Sequence, residues 1–169
     1  MTSSDSTRGY TLIELSVVIF LVALMMGLTI PKFRYTLLTD NLKTASRKLA
    51  GLISEVREEA IREQKTVILR FDLESRMLWK TSPDMTEEEN ALSRENAMTL
   101  PYGVRILDIW YRGKGKKMMG VASIQFTKKG YVQETAIHIG CDDGREFTLI
   151  LSPFLRRIKV ADKYVDFES

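Results

Sequence analysis

The stretch Arg8-Gly9-Tyr10-Thr11-Leu12-Ile13-Glu14 opens an apolar run that continues to Ile30, and this run decides the architecture of the N-terminal part. No charged residue lies between Glu14 and Lys32. A helix over Tyr10–Ile30 would rise about 31 Å at roughly 1.5 Å per residue, which is close to the hydrocarbon thickness of a bilayer. The run is therefore predicted to cross a membrane.

Glu14 is the carboxylate at the start of this run, and its position is costly. A carboxylate inside a membrane helix costs about 2.5–3.5 kcal/mol and usually has a partner. We therefore expect Glu14 to have a function. The alternative is an ordinary signal peptide or membrane anchor. Against a signal peptide, Glu14 interrupts the apolar core, and Gly27-Leu28-Thr29 is a poor cleavage site. Basic residues on both flanks leave the orientation undecided.

Gly9 followed by Tyr10-Thr11-Leu12-Ile13-Glu14 resembles the processing site of type IV pilins and type II secretion pseudopilins. The resemblance implies that prepilin peptidase removes residues 1–9 as a leader peptide by cutting after Gly9. It also implies that the same enzyme N-methylates Tyr10, although the family usually begins with phenylalanine. Glu14 then takes the place of the family's glutamate, which the resemblance connects with assembly. Pro31 takes the place of its helix-kinking proline.

A second helical segment is predicted over residues 32–64, after the membrane and filament-core helix of residues 10–31. Apolar residues recur there at alternating steps of four and three, which places them on one helical face. The members of this stripe are Leu38, Leu42, Ala45, Leu49, Leu52, Val56 and Ala60. Lysine, arginine and glutamate occupy the opposite face. The stripe fits either a coiled-coil seam or packing on a sheet, and the strands that follow favour the sheet.

Residues 65–169 are predicted to form a globular domain of antiparallel strands. Lys65–Leu73 and Met77–Thr81 read as a hairpin, and Pro83–Asn96 reads as an acidic loop or a short helix. Alternation in Val104–Tyr111 predicts that Val104, Ile106, Asp108 and Trp110 share one face of a strand. Val121–Thr127 is predicted to pair with Tyr131–Ile139. Asp143-Gly144 is a hairpin signal before Glu146–Leu151, and a last strand is predicted over Arg157–Val160.

The segment Leu52–Ile61, followed directly by Thr66-Val67-Ile68-Leu69, resembles the start of the GspH/FimT-type domain of minor pseudopilins and minor pilins. Ile124–Thr127 and Gly130 fit the same outline. The resemblance implies an α+β, pilin-like fold in which a long N-terminal helix packs on antiparallel β-sheets.

Residues capable of catalysis are sparse, and we expect no enzyme and no cofactor. The single Cys141 excludes an internal disulfide and a cysteine-based zinc cluster. His138, the only histidine, alternates with Ile137 and Ile139 and is expected to point away from them as a structural or exposed residue. Asp142 and Asp143 fit a hairpin turn better than a calcium site, and no metal is expected. The net charge of +3 favours no particular partner.

The resemblance implies a minor pseudopilin of a type II secretion system, most like GspH. It would be single-pass in the inner membrane, with its globular domain in the periplasm. Its partners would be prepilin peptidase, other pseudopilins or pilins, and the inner-membrane platform of the secretion system.

The alternative is a FimT-like minor type IV pilin that acts in pilus assembly or DNA uptake. Such DNA binders carry a glycine-arginine-x-arginine motif near the C-terminus. The matching stretch here is Arg156-Arg157-Ile158-Lys159, in which Arg156 replaces the glycine and Lys159 the second arginine. Arg156, Arg157 and Lys159 are therefore candidate phosphate contacts, but nucleic acid is not expected as a partner.

Overall fold

The structure is a computed structural model that describes residues 11–153 and 157–167; of residues 27–40 it describes the backbone alone. The chain divides into two compact units, residues 1–37 and 38–169. The first helix contributes to both units, and all strands belong to the second.

Helix α1 (Leu12–Arg62) begins directly after Thr11. The Thr11 hydroxyl accepts a hydrogen bond from the backbone N–H of Glu14 at 3.3 Å, which satisfies one of the unpaired donors of the first turn. After Arg62 the chain leaves the helix, and Gln64 takes a left-handed conformation at φ 53°. The helix continues through Pro31. The kink predicted there stays a prediction, since Pro31 lies among the residues described by backbone alone.

The remaining elements follow α1 in chain order. They are β1 (Val67–Asp72), β2 (Met77–Thr81), α2 (Glu87–Glu95), β3 (Met98–Thr99), β4 (Val104–Tyr111), β5 (Gly115–Lys117), β6 (Val121–Phe126), β7 (Thr135–Cys141), β8 (Glu146–Leu151) and β9 (Lys159–Ala161). They form a four-stranded sheet in the order β3-β2-β1-β6 and a five-stranded sheet in the order β5-β4-β7-β8-β9. The registered strand pairs are antiparallel. The α+β class is confirmed.

The apolar stripe of α1 is buried against the sheets. Leu42, Ala45, Leu49, Val56 and Ala60 lie in one core cluster with the strand residues, as predicted. Ile53 is also buried in this cluster, whereas Leu52 is only partly buried, and Leu38 lies among the residues whose side chains are not described. The stripe between residues 42 and 60 is therefore a helix-on-sheet contact, not a coiled-coil seam.

Ionic contacts reinforce the same contact at its edge. Lys80 on β2 lies 3.1 Å from a carboxylate oxygen of Glu55 and 2.8 Å from one of Glu59. These glutamates stand one helical turn apart, so a single ammonium group holds two turns of α1 to the sheet. Both carboxylates raise the pKa of Lys80 against the opposing effect of its desolvation.

The predicted pairing of Val121–Thr127 with Tyr131–Ile139 is wrong. β6 pairs along its whole length with β1, and β7 lies between β4 and β8 in the other sheet. Of the predicted hairpin, the described residues keep a bridge between Phe126 and Val132 and a hydrogen bond from the Thr127 N–H to the Tyr131 carbonyl oxygen at 3.0 Å. All seven residues of β7 are buried, so this strand needs a partner on each edge and a cover on each face. If β7 paired with β6 alone, the backbone hydrogen-bonding groups on the other edge of β7 would have no partner strand.

The predicted face of β4 is correct only up to Ile106. In the register with β7, Ile106 is opposite Ile139, but the next pair is Asp108 with His138. Leu107 is therefore an extra residue, a β-bulge, which inverts the alternation of the strand. Val104, Ile106 and Ile109 face the core, while Asp108 and Trp110 lie on the other face.

The connection between β2 and β3 contains a helix. Thr86 accepts a hydrogen bond from the backbone N–H of Glu89 at 3.2 Å, and the Glu89 carboxylate accepts one from the Thr86 N–H at 2.8 Å. This capping box nucleates α2, which has no buried residue. The short-helix alternative for the acidic segment is thus confirmed.

Replacement of Leu49 by alanine should destabilise the domain by about 2–5 kcal/mol, because Leu49 is fully buried in the contact between helix and sheets. Chemical denaturation, followed by circular dichroism, measures the free energy of unfolding. Lys48→Ala on the exposed face of the same helical turn is the matched control and should change it by no more than about 0.5 kcal/mol. Equal stability of the two variants would contradict the helix-on-sheet contact.

Candidate assembly surface

The first unit presents an apolar helix surface with one acidic group near its start. Twelve large apolar side chains in this part of α1 are each between 46% and 85% exposed. They are Leu12, Ile13, Leu15, Val17, Val18, Ile19, Phe20, Leu21, Val22, Leu24, Met25 and Met26. They occur on all sides of the helix, and an exposed apolar surface of this extent is typical of a segment that is covered by lipid or by other chains.

Among the described residues, no helix has both the length and the apolar character that a membrane crossing requires.

Several residues of the predicted processing and membrane segment lie outside the described part of the chain. Gly9 and Tyr10, the predicted processing site and N-methylated residue, are outside it, as is the leader of residues 1–9. The side chains of residues 27–30, at the far end of the predicted span, are also not described.

Glu14 is exposed on the first turn of α1. Its carboxylate has no ion pair among the described residues. The partial positive charge at a helix N-terminus favours an acid at this position. In an apolar environment that contribution is too small to replace the lost hydration of a carboxylate, so a cationic partner would still be required.

The candidate phosphate contacts near the C-terminus are only partly described. Arg157 and Lys159 are exposed, and Lys159 begins β9. Ile158 between them packs against the core, so the side chains alternate across the strand end. Arg156 lies outside the described residues. The expectation that nucleic acid is not a partner stays a prediction.

His138 points away from Ile137 and Ile139, as predicted, and it is fully buried rather than exposed. Its Nδ1 lies 2.7 Å from Oδ1 of Asp108, and its Nε2 lies 2.9 Å from the carbonyl oxygen of Val165. Tyr164 donates a hydrogen bond from its hydroxyl to Oδ2 of Asp108 at 2.9 Å and stacks on the imidazole with centroids 3.9 Å apart. Both ring nitrogens are thus occupied by structural contacts.

Sequence reasoning found His138 but missed Asp108 and Tyr164. The signal for Asp108 was hidden by the bulge at Leu107, because regular alternation placed the aspartate on the core face. Tyr164 contacts β4 from 56 residues further along the chain, and no local pattern reports such a contact.

The turn between β7 and β8 forms as predicted. Gly144 has a φ of 84°, which the Asp-Gly signal requires, and Asp143 accepts a hydrogen bond from Nε of Arg145 at 2.9 Å. This bond lowers the pKa of the Asp143 carboxyl. Oδ1 of Asp142 lies 3.9 Å from Nη1 of Arg105.

The described residues contain no group of three or more histidine, cysteine or acidic side chains that would hold a metal ion.

Comparison with solved structures shows which known fold this chain shares. Two structures of the minor pseudopilin EpsH from the type 2 secretion system of Vibrio cholerae match this chain, with TM-scores of 0.50 and 0.51. The two alignments cover 71% and 76% of this chain and 95% and 98% of the EpsH chains, at 13% and 15% sequence identity. The α+β, pilin-like fold expected from the sequence is therefore confirmed.

Among curated proteins, the chain is similar to the type II secretion system protein H of Pseudomonas aeruginosa. The two are 31% identical over 67 residues, which are 40% of this chain and 39% of the relative. The match thus spans less than half of the relative's length. No protein-family model matches the chain.

Glu14→Ala and Glu14→Gln should each abolish copurification of this chain with the pseudopilins of the same cell, because both remove the charge that requires a cationic partner. Glu58→Gln, which removes an exposed acid further along α1, is the matched control and should leave copurification unchanged. Affinity purification from detergent-solubilised membranes, with protein levels checked by immunoblot, measures the effect. Normal copurification of both Glu14 variants would show that the carboxylate does not direct assembly.

Proposed function

We propose that this protein is a minor pseudopilin subunit of a type II secretion system, and that it is built into a periplasmic pseudopilus for protein secretion. The fold similarity to EpsH and the sequence similarity to protein H support this proposal. The observation that carries it is the exposed apolar part of α1 with Glu14 at its start, which needs a cover of lipid or of neighbouring apolar helices.

In this proposal the segment 10–30 has two environments in succession. It first holds the precursor in the inner membrane, and it later packs with the same segments of neighbouring subunits in the filament core. The exposed apolar side chains suit both environments, because lipid and packed helices each remove them from water. The globular domain, from about residue 38 onward, lies in the periplasm.

Glu14 would guide the transition between these environments. After cleavage, Tyr10 carries a positive α-amine, which stays basic after N-methylation. Two unit charges 4 Å apart attract by about 4 kcal/mol at an effective dielectric constant near 20, before desolvation is subtracted. Pairing of Glu14 with the Tyr10 amine of a neighbouring or the same subunit would offset the cost of a carboxylate in lipid. Between subunits it would also fix their axial register.

The proposed role is structural rather than enzymatic. His138 uses both ring nitrogens in contacts that hold the C-terminal segment, and it is fully buried. The partners in this role are prepilin peptidase, the other pseudopilins and the inner-membrane platform.

Processing after Gly9 gives the first test of the proposal. The intact mass of the protein extracted from membranes should lack residues 1–9 and carry one additional methyl group on Tyr10. Gly9→Val should leave the precursor uncut, because a β-branched side chain replaces the residue at which the family is cut. A mature protein that begins at another residue in cells with active peptidase would contradict the proposal.

The second test separates secretion from pilus function. Deletion of the gene should abolish secretion of type II substrates into the medium, and the wild-type gene should restore it. Piliation and DNA uptake should stay unchanged in the same strain. Normal secretion together with loss of DNA uptake would instead support the minor type IV pilin, and Arg157→Ala with Lys159→Ala would then be expected to reproduce that loss.

A further inference from the structure

The C-terminal segment 163–167 forms a strap over the outer face of the five-stranded sheet. It is not a strand, and side chains of the sheet bind its backbone. Thr148 donates from its hydroxyl to the carbonyl oxygen of Lys163 at 2.7 Å and accepts from the N–H of Val165 at 3.0 Å. The Val165 carbonyl oxygen faces Nε2 of His138 at 2.9 Å. At the end of the strap, Phe167 stacks on Trp110 with ring centroids 4.8 Å apart.

The hydrogen-bond partners of His138 determine how many protons its ring must carry. The carbonyl oxygen of Val165 only accepts, so Nε2 must carry a proton for the contact at 2.9 Å to be a hydrogen bond. On the other side, Oδ1 of Asp108 lies 2.7 Å from Nδ1, and Oδ2 of the same carboxylate already accepts from Tyr164. A proton must therefore also lie between Nδ1 and Oδ1. The closed strap thus contains an imidazolium paired with a carboxylate.

Loss of one proton from this pair has an unequal effect on the two contacts. The remaining proton is held more strongly at Nδ1, because its acceptor there is a charged carboxylate rather than a carbonyl group. Nε2 then presents a lone pair to the Val165 oxygen, and that contact becomes repulsive. The strap loses its central hydrogen bond, whereas the contact between β4 and β7 survives.

We propose that the C-terminal strap is a proton-dependent latch, in which protonated His138 holds the strap closed and its deprotonation releases residues 163–167 from the sheet. The closed form binds one proton more than a form with neutral His138, so a rise in pH favours opening. The closed form is therefore expected to weaken as the pH rises from about 5 to 8.

The other ionisable groups around His138 do not titrate in this range. Nζ of Lys116 on β5 lies 2.8 Å from Oδ1 of Asp166 and 5.1 Å from the ring centroid of Tyr164. Asp166 and Tyr164 both belong to the strap. The hydrogen bond from Lys116 lowers the pKa of Asp166, and the same bond raises the pKa of Lys116. Burial raises the pKa of Tyr164. Their charges are therefore constant between about pH 5 and 8, so we assign the pH dependence of the strap to the hydrogen-bonded pair of Asp108 and His138.

Release of the strap would uncover an aromatic and polar face of the sheet. Trp110, His138 and Thr148 lie on this face, and each is now buried beneath the strap or in contact with it. Because Phe167 is stacked on Trp110, opening would expose two large aromatic rings at once.

Hydrogen exchange of the full chain in detergent, followed by NMR, tests the latch. The protection factor of the Val165 amide, corrected for intrinsic exchange, should fall by up to tenfold per pH unit above the titration of the pair. The amide of Ile137 in β7 should keep its protection over the same range, which separates opening of the strap from unfolding of the sheet. Constant protection of Val165 from pH 5 to 9 would overturn the proposal.

The single histidine gives a second, independent readout. At low pH both ring nitrogens should carry protons in ¹⁵N spectra, and at high pH the proton should remain on Nδ1 and be lost from Nε2. A neutral ring protonated at Nε2, with Val165 still protected, would equally overturn the proposal.

Asp108→Asn is the sharpest variant, because it keeps the shape of the side chain. Its amide N–H would donate to Nδ1 of a neutral His138, while its oxygen would still accept from Tyr164. Nε2 would then keep its proton and its bond to Val165 at all pH values. We expect a strap that stays closed without pH dependence. Asp166→Asn, which removes a strap carboxylate outside the pair, is the control and should keep the wild-type pH dependence. Wild-type pH dependence in Asp108→Asn would show that another group titrates.

Discussion

The burial of the α1 stripe against the two sheets is the contact on which the rest of the domain depends. Leu49 and Val56 lie in the same core cluster as Phe71 of β1 and Ile137 of β7, so one helix face joins residues from both sheets. The helix and both sheets therefore share a single hydrophobic core, in which each element covers apolar side chains of the others. The ion pairs of Lys80 add less, since they lie at the exposed edge.

The same helix carries a second apolar surface in its N-terminal part. Residues 12–26 are exposed throughout, while residues 42–60 place their apolar side chains in the core. The change along one continuous helix means that its two parts meet different requirements. The second part folds with its own domain, whereas the first part needs lipid or other chains. This division is what a subunit that moves from a membrane into a filament requires, and it is the physical basis of the proposed function.

Local patterns predicted the parts of this protein that depend on neighbours in sequence. The stripe followed from helical spacing, and the β7–β8 turn followed from Asp143-Gly144. The wrong predictions concerned strand faces and strand pairs, which depend on contacts between residues far apart in sequence. A single extra residue at Leu107 inverted the face of β4. β6 pairs with β1, which lies about 50 residues earlier in the chain, and not with the segment that follows β6.

The hydrogen-bonded cluster around His138 depends on contacts that no local sequence pattern predicts. β7 lies in the middle of its sheet, and its outer face carries a histidine where an isolated sheet would expose it to water. The strap covers this face and supplies an acceptor for Nε2, while the bulge in β4 supplies an acceptor for Nδ1. Without the bulge, Leu107 would be opposite His138, and a buried imidazole would face an apolar side chain with an unsatisfied nitrogen. A buried polar group without a partner costs about 1–3 kcal/mol. The irregularity of β4 is therefore what makes a buried histidine at this position tolerable, and the strap is stable only in the protonation state for which both acceptors are matched.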